Sequence, residues 1–110
     1  MPPMNPTTVY VVLWPAENIV KVGRTVLPSR VRKFEIRGAK VLRLIHDVHE
    51  RDESALLAAL RDHGRRAFDS WQDSVPYLGA GGTGFSECYR VGDRLADFVA
   101  AVNNAYPEGA

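Results

Sequence analysis

Thr7-Thr8-Val9-Tyr10-Val11-Val12-Leu13, Trp14-Pro15-Ala16-Glu17, Asn18-Ile19-Val20-Lys21-Val22-Gly23: two runs rich in β-branched and aromatic residues flank a Pro-containing turn, the pattern of an antiparallel hairpin. Setting Leu13 opposite Asn18 places Tyr10 opposite Lys21. Side chains alternate between the faces of a strand. Val9, Val11, Leu13, Val20 and Val22 then share an apolar face, which is expected to be core. Thr8, Tyr10, Val12, Ile19, Lys21 and Gly23 share the other. A phenol, an amine and a glycine on one face mark it as the expected working surface.

The chain of 110 residues is one domain's worth of sequence. Hydrophobic residues make up 45% and charged residues 25%, an ordinary globular balance that excludes a disordered chain. Residues 1–6 are Pro-rich and read as a loose arm. Pro28-Ser29 suits a helix start, Leu27, Val31 and Phe34 form one helical stripe, and Gly38 ends it. Residues 39–48 alternate imperfectly and read as a third strand. Glu50 or Asp52 opens a helix that Gly64 stops, with Leu56, Leu57 and Leu60 on its apolar side and Glu53 beside them. After His63 come Asp69-Ser70-Trp71-Gln72-Asp73 and a run from Leu78 to Gly84 whose glycines mark a mobile loop; residues 85–91 read as a short edge strand and residues 93–103 as a final amphipathic helix. The expected fold is α/β (α+β): a small, central, three-stranded, mainly antiparallel sheet flanked by helices, with a C-terminal strand and helix extension. Residues 7–91 would form the main unit, and residues 92–110 would pack on it.

Cys88 is the sole cysteine, which excludes an internal disulfide framework and a cysteine-rich zinc site. His46, His49 and His63 lack a tight ligand spacing. The Gly-rich run ending at Gly84 lacks the Lys-Ser/Thr of a phosphate-binding P-loop. No apolar run approaches the ~18 residues of a membrane helix, and Met1 to Pro6 carries no basic signal head, so a cytoplasmic setting is expected.

The net charge of +1 conceals an asymmetry. Between Lys21 and Arg43 stand eight bases against the single acid Glu35, a net +7, while the remainder holds six bases and twelve acids, a net −6. Such a stretch is the electrostatic footprint of a surface that meets a polyanion, and DNA through residues 21–43 is the expected partner.

Thr8-Val9-Tyr10 and Lys21-Val22-Gly23 resemble the two namesake tripeptides of the GIY-YIG endonuclease superfamily. The run Lys21-Val22-Gly23-Arg24-Thr25 with Arg30-Val31, the helix start Glu53-Ser54-Ala55-Leu56 and the segment Gly84-Phe85-Ser86-Glu87-Cys88-Tyr89 are similar to its small phage-associated branch. The resemblance implies a metal-dependent endonuclease hydrolysing DNA phosphodiester bonds. Tyr10 would help activate the attacking water, Arg30 would clamp the scissile phosphate, and Glu53 would hold Mg²⁺ (or Mn²⁺). Gly23 would let the backbone turn beside the substrate. From the basic stretch itself, Arg24, Arg32 and Lys33 are expected as further substrate contacts. Thr8 replaces the first glycine, Lys21 the second tyrosine, and Phe34 and Leu57 stand at positions often held by histidine.

The chemistry suits these residue types. Mg²⁺ prefers oxygen ligands, keeps several waters and needs only one or two carboxylates. Arginine gives phosphate paired hydrogen bonds that lysine cannot imitate. A phenol normally titrates near pH ~10, too high for an efficient base at neutrality, and a Lys21 ammonium beside Tyr10 would favour the phenolate. Helix phase leaves open whether Arg30 or Arg32 faces the substrate, and Glu50 and Asp52 rival Glu53 as the ligand. A domain of this size has little surface for reading bases, so a protein partner would supply any sequence specificity. The alternative is a catalytically inactive nucleic-acid-binding module on the same scaffold.

Overall fold

The computed structural model describes residues 7–26, 29–46, 50–80 and 84–107. Its elements are β1 (Thr8–Trp14), β2 (Ile19–Thr25), α1 (Ser29–Ile36), β3 (Lys40–His46), α2 (Glu50–His63), β4 (Arg65–Arg66), α3 (Trp71–Leu78), β5 (Cys88–Arg90) and α4 (Leu95–Ala105). The fold is α+β. The three expected strands form the core of the sheet, and two short strands extend it to five in the order β3-β1-β2-β5-β4, every pair antiparallel. The expected arm, Leu27, Pro28, His49, the glycines at 81–82 and residues 108–110 lie outside the described residues.

The hairpin register differs from the expected one by two residues: Tyr10 pairs with Gly23, and Lys21 with Val12. Trp14 belongs to β1, opposite Ile19, and the turn is built from residues 15–18. Asn18 takes a left-handed conformation (φ 49°), which asparagine tolerates better than most residues. Its Nδ2 donates to the Gly92 carbonyl at 2.9 Å, and its own carbonyl accepts from Val91 N at 3.0 Å. A two-residue shift preserves the faces. Val9, Val11, Leu13, Val20 and Val22 do form one core, with Leu56 and Leu60 of α2 and Phe98 and Val102 of α4.

The opposite face, expected to be the working surface, is for the most part a second core: Tyr10, Val12, Trp14 and Ile19 pack with Val31 and Phe34 of α1, Leu78 of α3, Phe68 and Cys88. Both faces of β1 and β2 are therefore covered, which explains why Thr8–Trp14 is apolar almost throughout. The imperfect alternation of β3 has a local cause. Val11 pairs with Arg43 but Val12 with Val41, leaving Leu42 in a bulge.

The segment after His63, for which the sequence predicts no element before residue 85, holds β4 and α3, the latter opened by Ser70, whose side chain accepts from Asp73 N at 3.4 Å. The expected edge strand is shorter, Cys88–Arg90, and lies inside the sheet between β2 and β4. Among the described residues no helix is long and apolar enough to cross a membrane.

Candidate active site

A cleft of about 290 Å³ is lined by Tyr10, Lys21, Arg24, Arg30, Glu53, Gly84 and Glu87. Strands β1 and β2 supply Tyr10, Lys21 and Arg24, α1 supplies Arg30, and α2 supplies Glu53. The turn before β5 supplies Gly84 and Glu87. Of the expected site residues, Tyr10, Lys21, Arg24, Arg30 and Glu53 thus meet in one place. Arg32 and Lys33 are exposed on α1 outside the lining, so the phase of the helix favours Arg30.

Gly23 lies beneath the site rather than in its wall. A Cβ there would meet the Tyr10 hydroxyl and would sit 2.8 Å from Lys21 Nζ. Its role is close approach: with no side chain at 23, its partner Tyr10 and its neighbour Lys21 converge above the backbone. Tyr10 and Lys21 are only 1% and 2% exposed. Lys21 Nζ donates to Tyr10 Oη at 2.9 Å and to Glu87 Oε2 at 3.3 Å. It also lies 5.0 Å from the Tyr10 ring centroid and 5.8 Å from that of Phe34. Burial by itself pulls the Lys21 ammonium toward neutrality. The Tyr10 oxygen and the Glu87 carboxylate outweigh that pull and hold its pKa above the ordinary lysine value.

Arg24 Nε lies 3.8 Å from Glu53 Oε1. Arg24 pairs with Val9 across the hairpin, on the α2 side of the sheet, and so reaches Glu53 from that side. Of the rival ligands, Asp52 accepts from Tyr106 Oη at 2.7 Å, toward the chain's end; the side chain of Glu50 lies outside the described residues. Cys88 pairs with Lys21 in register. Burial pushes its thiol up to about 12, so it stays neutral, a member of the second core rather than a nucleophile. His46 Nδ1 bonds Thr8 Oγ1 and His63 Nδ1 bonds the Ala59 carbonyl, both away from the cleft.

Among the described residues, no three His, Cys, Asp or Glu side chains converge as a metal-binding group. The cleft offers two carboxylates: Glu87 is engaged by Lys21, which leaves Glu53, beside Arg24, as the hard donor. That fits a hydrated divalent cation such as Mg²⁺, which takes one or two carboxylates and completes its shell with water and substrate phosphate. Zinc takes three or four protein ligands from His, Cys, Asp and Glu, and no such group of three converges among the described residues.

The basic stretch does not form one face. Lys21 is buried in the site, and Arg37 Nη1 donates to the Lys33 carbonyl at 2.9 Å beside Gly79. Arg43 lies on the α4 side of the sheet, where it donates to Asn103 Oδ1 at 2.9 Å and to the Tyr106 carbonyl. Of the rest of the stretch, Arg24 and Arg30 line the cleft, Arg32 and Lys33 are exposed on α1, and Lys40 is exposed at the start of β3.

Glu87 and Gly84, quoted from the sequence only as part of a resembling segment, are the lining residues it did not assign to the site. The signal was a Glu directly before a strand, but only the pairing of β5 with β2 brings it to Lys21. No protein-family model, curated protein or solved structure matches the chain.

Proposed function

We propose that the protein is a metal-dependent endonuclease hydrolysing DNA phosphodiester bonds. The convergence of Tyr10, Lys21, Arg30 and Glu53 in one polar cleft carries this reading. They come from four elements of the chain, and the cleft has the donors a phosphodiester requires. Arg30 clamps the scissile phosphate by paired hydrogen bonds, a contribution on the order of 10²–10³ in rate. Lys21 supplies a fixed, desolvated positive charge beside the Tyr10 oxygen, whose strength is raised by the low dielectric of the buried site. Tyr10, its O–H facing the cleft, gives its own proton to the cleft solvent and then takes the proton of the attacking water on the phenolate oxygen. Glu53 would hold the cation, which when bound polarises the phosphate and stabilises the leaving oxygen. Arg32 and Lys33 hold the backbone of the nucleic acid outside the cleft.

The test is plasmid cleavage by the purified protein with Mg²⁺ or Mn²⁺, with EDTA and Glu53→Ala as controls. Metal-dependent nicking that Glu53→Ala abolishes is the expected result. Salt-sensitive DNA binding with no cleavage under any of these conditions would replace this reading with a second one, an inactive binding module. The Arg24–Glu53 contact favours that alternative, because it engages the carboxylate that would otherwise face a cation.

A further inference from the structure

Lys21 is the most buried charge in the described chain, and its partners are placed unequally. Tyr10 is as buried as Lys21 itself, whereas the Glu87 side chain is 33% exposed and reaches in from the cleft wall. The turn carrying Glu87 is shaped for this approach. Gly84 has φ +86°, and a Cβ there would sit 2.9 Å from Lys21 Nζ; the Glu87 amide donates to the Gly84 carbonyl at 2.9 Å. Two glycines from distant parts of the sequence thus make room for one ammonium.

An ammonium has three donors and no acceptor. Between Lys21 and Tyr10 the phenol oxygen therefore accepts, and the Tyr10 proton is directed away from Lys21. Were Lys21 to lose its charge, its nitrogen would gain a lone pair and could take the Tyr10 proton as an acceptor, reversing the bond. The groups facing Nζ are Tyr10, Glu87 and the Cys88 thiol, with Arg24, Arg30 and Glu53 lining the same cleft. Of these, the one carboxylate touching the ammonium is Glu87.

We infer that Glu87 is a positioning residue: by holding the Lys21 ammonium it keeps Lys21 a donor to Tyr10 and leaves the Tyr10 proton directed to the cleft. Its relevance to catalysis rests on the endonuclease reading; its action on Lys21 does not. The test uses full-length protein labelled at lysine ¹³Cε and ¹⁵Nζ, with the Lys21 signal assigned by its loss in Lys21→Met. In the wild type the signal holds its charged position beyond the range of exposed lysines. In Glu87→Gln it leaves that position at lower pH, and in Glu87→Asp at an intermediate pH. Coincident titrations of wild type and Glu87→Gln would overturn the inference. Should Glu87→Gln fail to fold, the wild-type comparison with Glu87→Asp decides by the same criterion.

The second readout is the pH–rate profile of cleavage. The alkaline limb of kcat moves to lower pH in Glu87→Gln while KM stays constant. A profile merely reduced in height, with unmoved limbs, would overturn the positioning role. An inactive wild type would defeat the endonuclease reading alone, since the lysine titration still reports on Glu87.

Discussion

Gly23 stands where even a methyl group collides with the two side chains that matter most. Gly23→Ala therefore displaces the Tyr10 hydroxyl and Lys21 Nζ. Overpacking of this kind costs about 1–3 kcal/mol, to be read by urea unfolding, and cleavage should be lost with it. Lys21→Met gives the opposite pattern. Removing one partner of a fully buried pair is costly because the other charge is stranded, but Glu87 keeps a third of its side chain in solvent. The variant should unfold within about 1 kcal/mol of wild type, or be more stable, yet lose activity. Full activity with an unchanged pH–rate profile would remove Lys21 from the chemistry. Alkaline pH should destabilise the protein. A lysine whose folded pKa is raised contributes fully below the unfolded value of about 10.4 and loses that contribution as pH climbs through the raised one. Tyr106, pushed up to about 12 by burial and by its bond to Asp52, acts in the same direction above about pH 10. Wild type should therefore lose stability above that pH, and Tyr106→Phe should lose less, as measured by thermal melts across pH 9–11. At this scale much was legible: Tyr10 and Lys21 share a face in either register. The register itself was not, because it depends on Asn18, whose left-handed turn is secured by residues 91 and 92.

Helix α1 shows how an element sorts charges that look alike in sequence. Val31 and Phe34 are buried, which leaves Arg30, Arg32 and Lys33 on its open sides. Arg43, counted in the same basic stretch, is turned to α4 by the bulge at Leu42. Arg32→Gln should thus weaken DNA binding and lower the salt-dependence slope by about 1, while Arg43→Gln leaves the slope unchanged. Binding isotherms at several salt concentrations separate the two. Helix α3 escaped sequence reading although Ser70, Asp73 and the spacing of Trp71, Ser74 and Leu78 were all present. Pro76 hid it, since an interior proline normally argues against a helix; here the helix is short and closes on a Gly79 N to Val75 carbonyl bond of 2.8 Å. Ser70→Ala should cost about 0.5–1 kcal/mol in denaturant titration, the low end because the capping bond is long.

The sheet is covered on both faces, so the molecule has two cores sharing one hairpin. Phe98 of α4 is fully buried in the first. Phe98→Ala should cost about 3–5 kcal/mol, a large part of the 5–15 kcal/mol that holds an ordinary domain folded, and calorimetry should show a greatly lowered transition or none. The three-stranded centre was readable because its residues are neighbours in sequence. The outer half was not, because β5 meets β2 only through long-range pairing. That separation has a temporal consequence. Glu87 lies 66 residues beyond Lys21, so during synthesis the hairpin leaves the ribosome long before the carboxylate that balances its lysine. Until then Lys21 has no ion-pair partner to favour its desolvation, and the apolar faces of β1 and β2 lack their covering helices. A nascent chain stopped short of residue 84 is therefore a candidate client for chaperones, and the site is complete only once residues 84–87 have been synthesised.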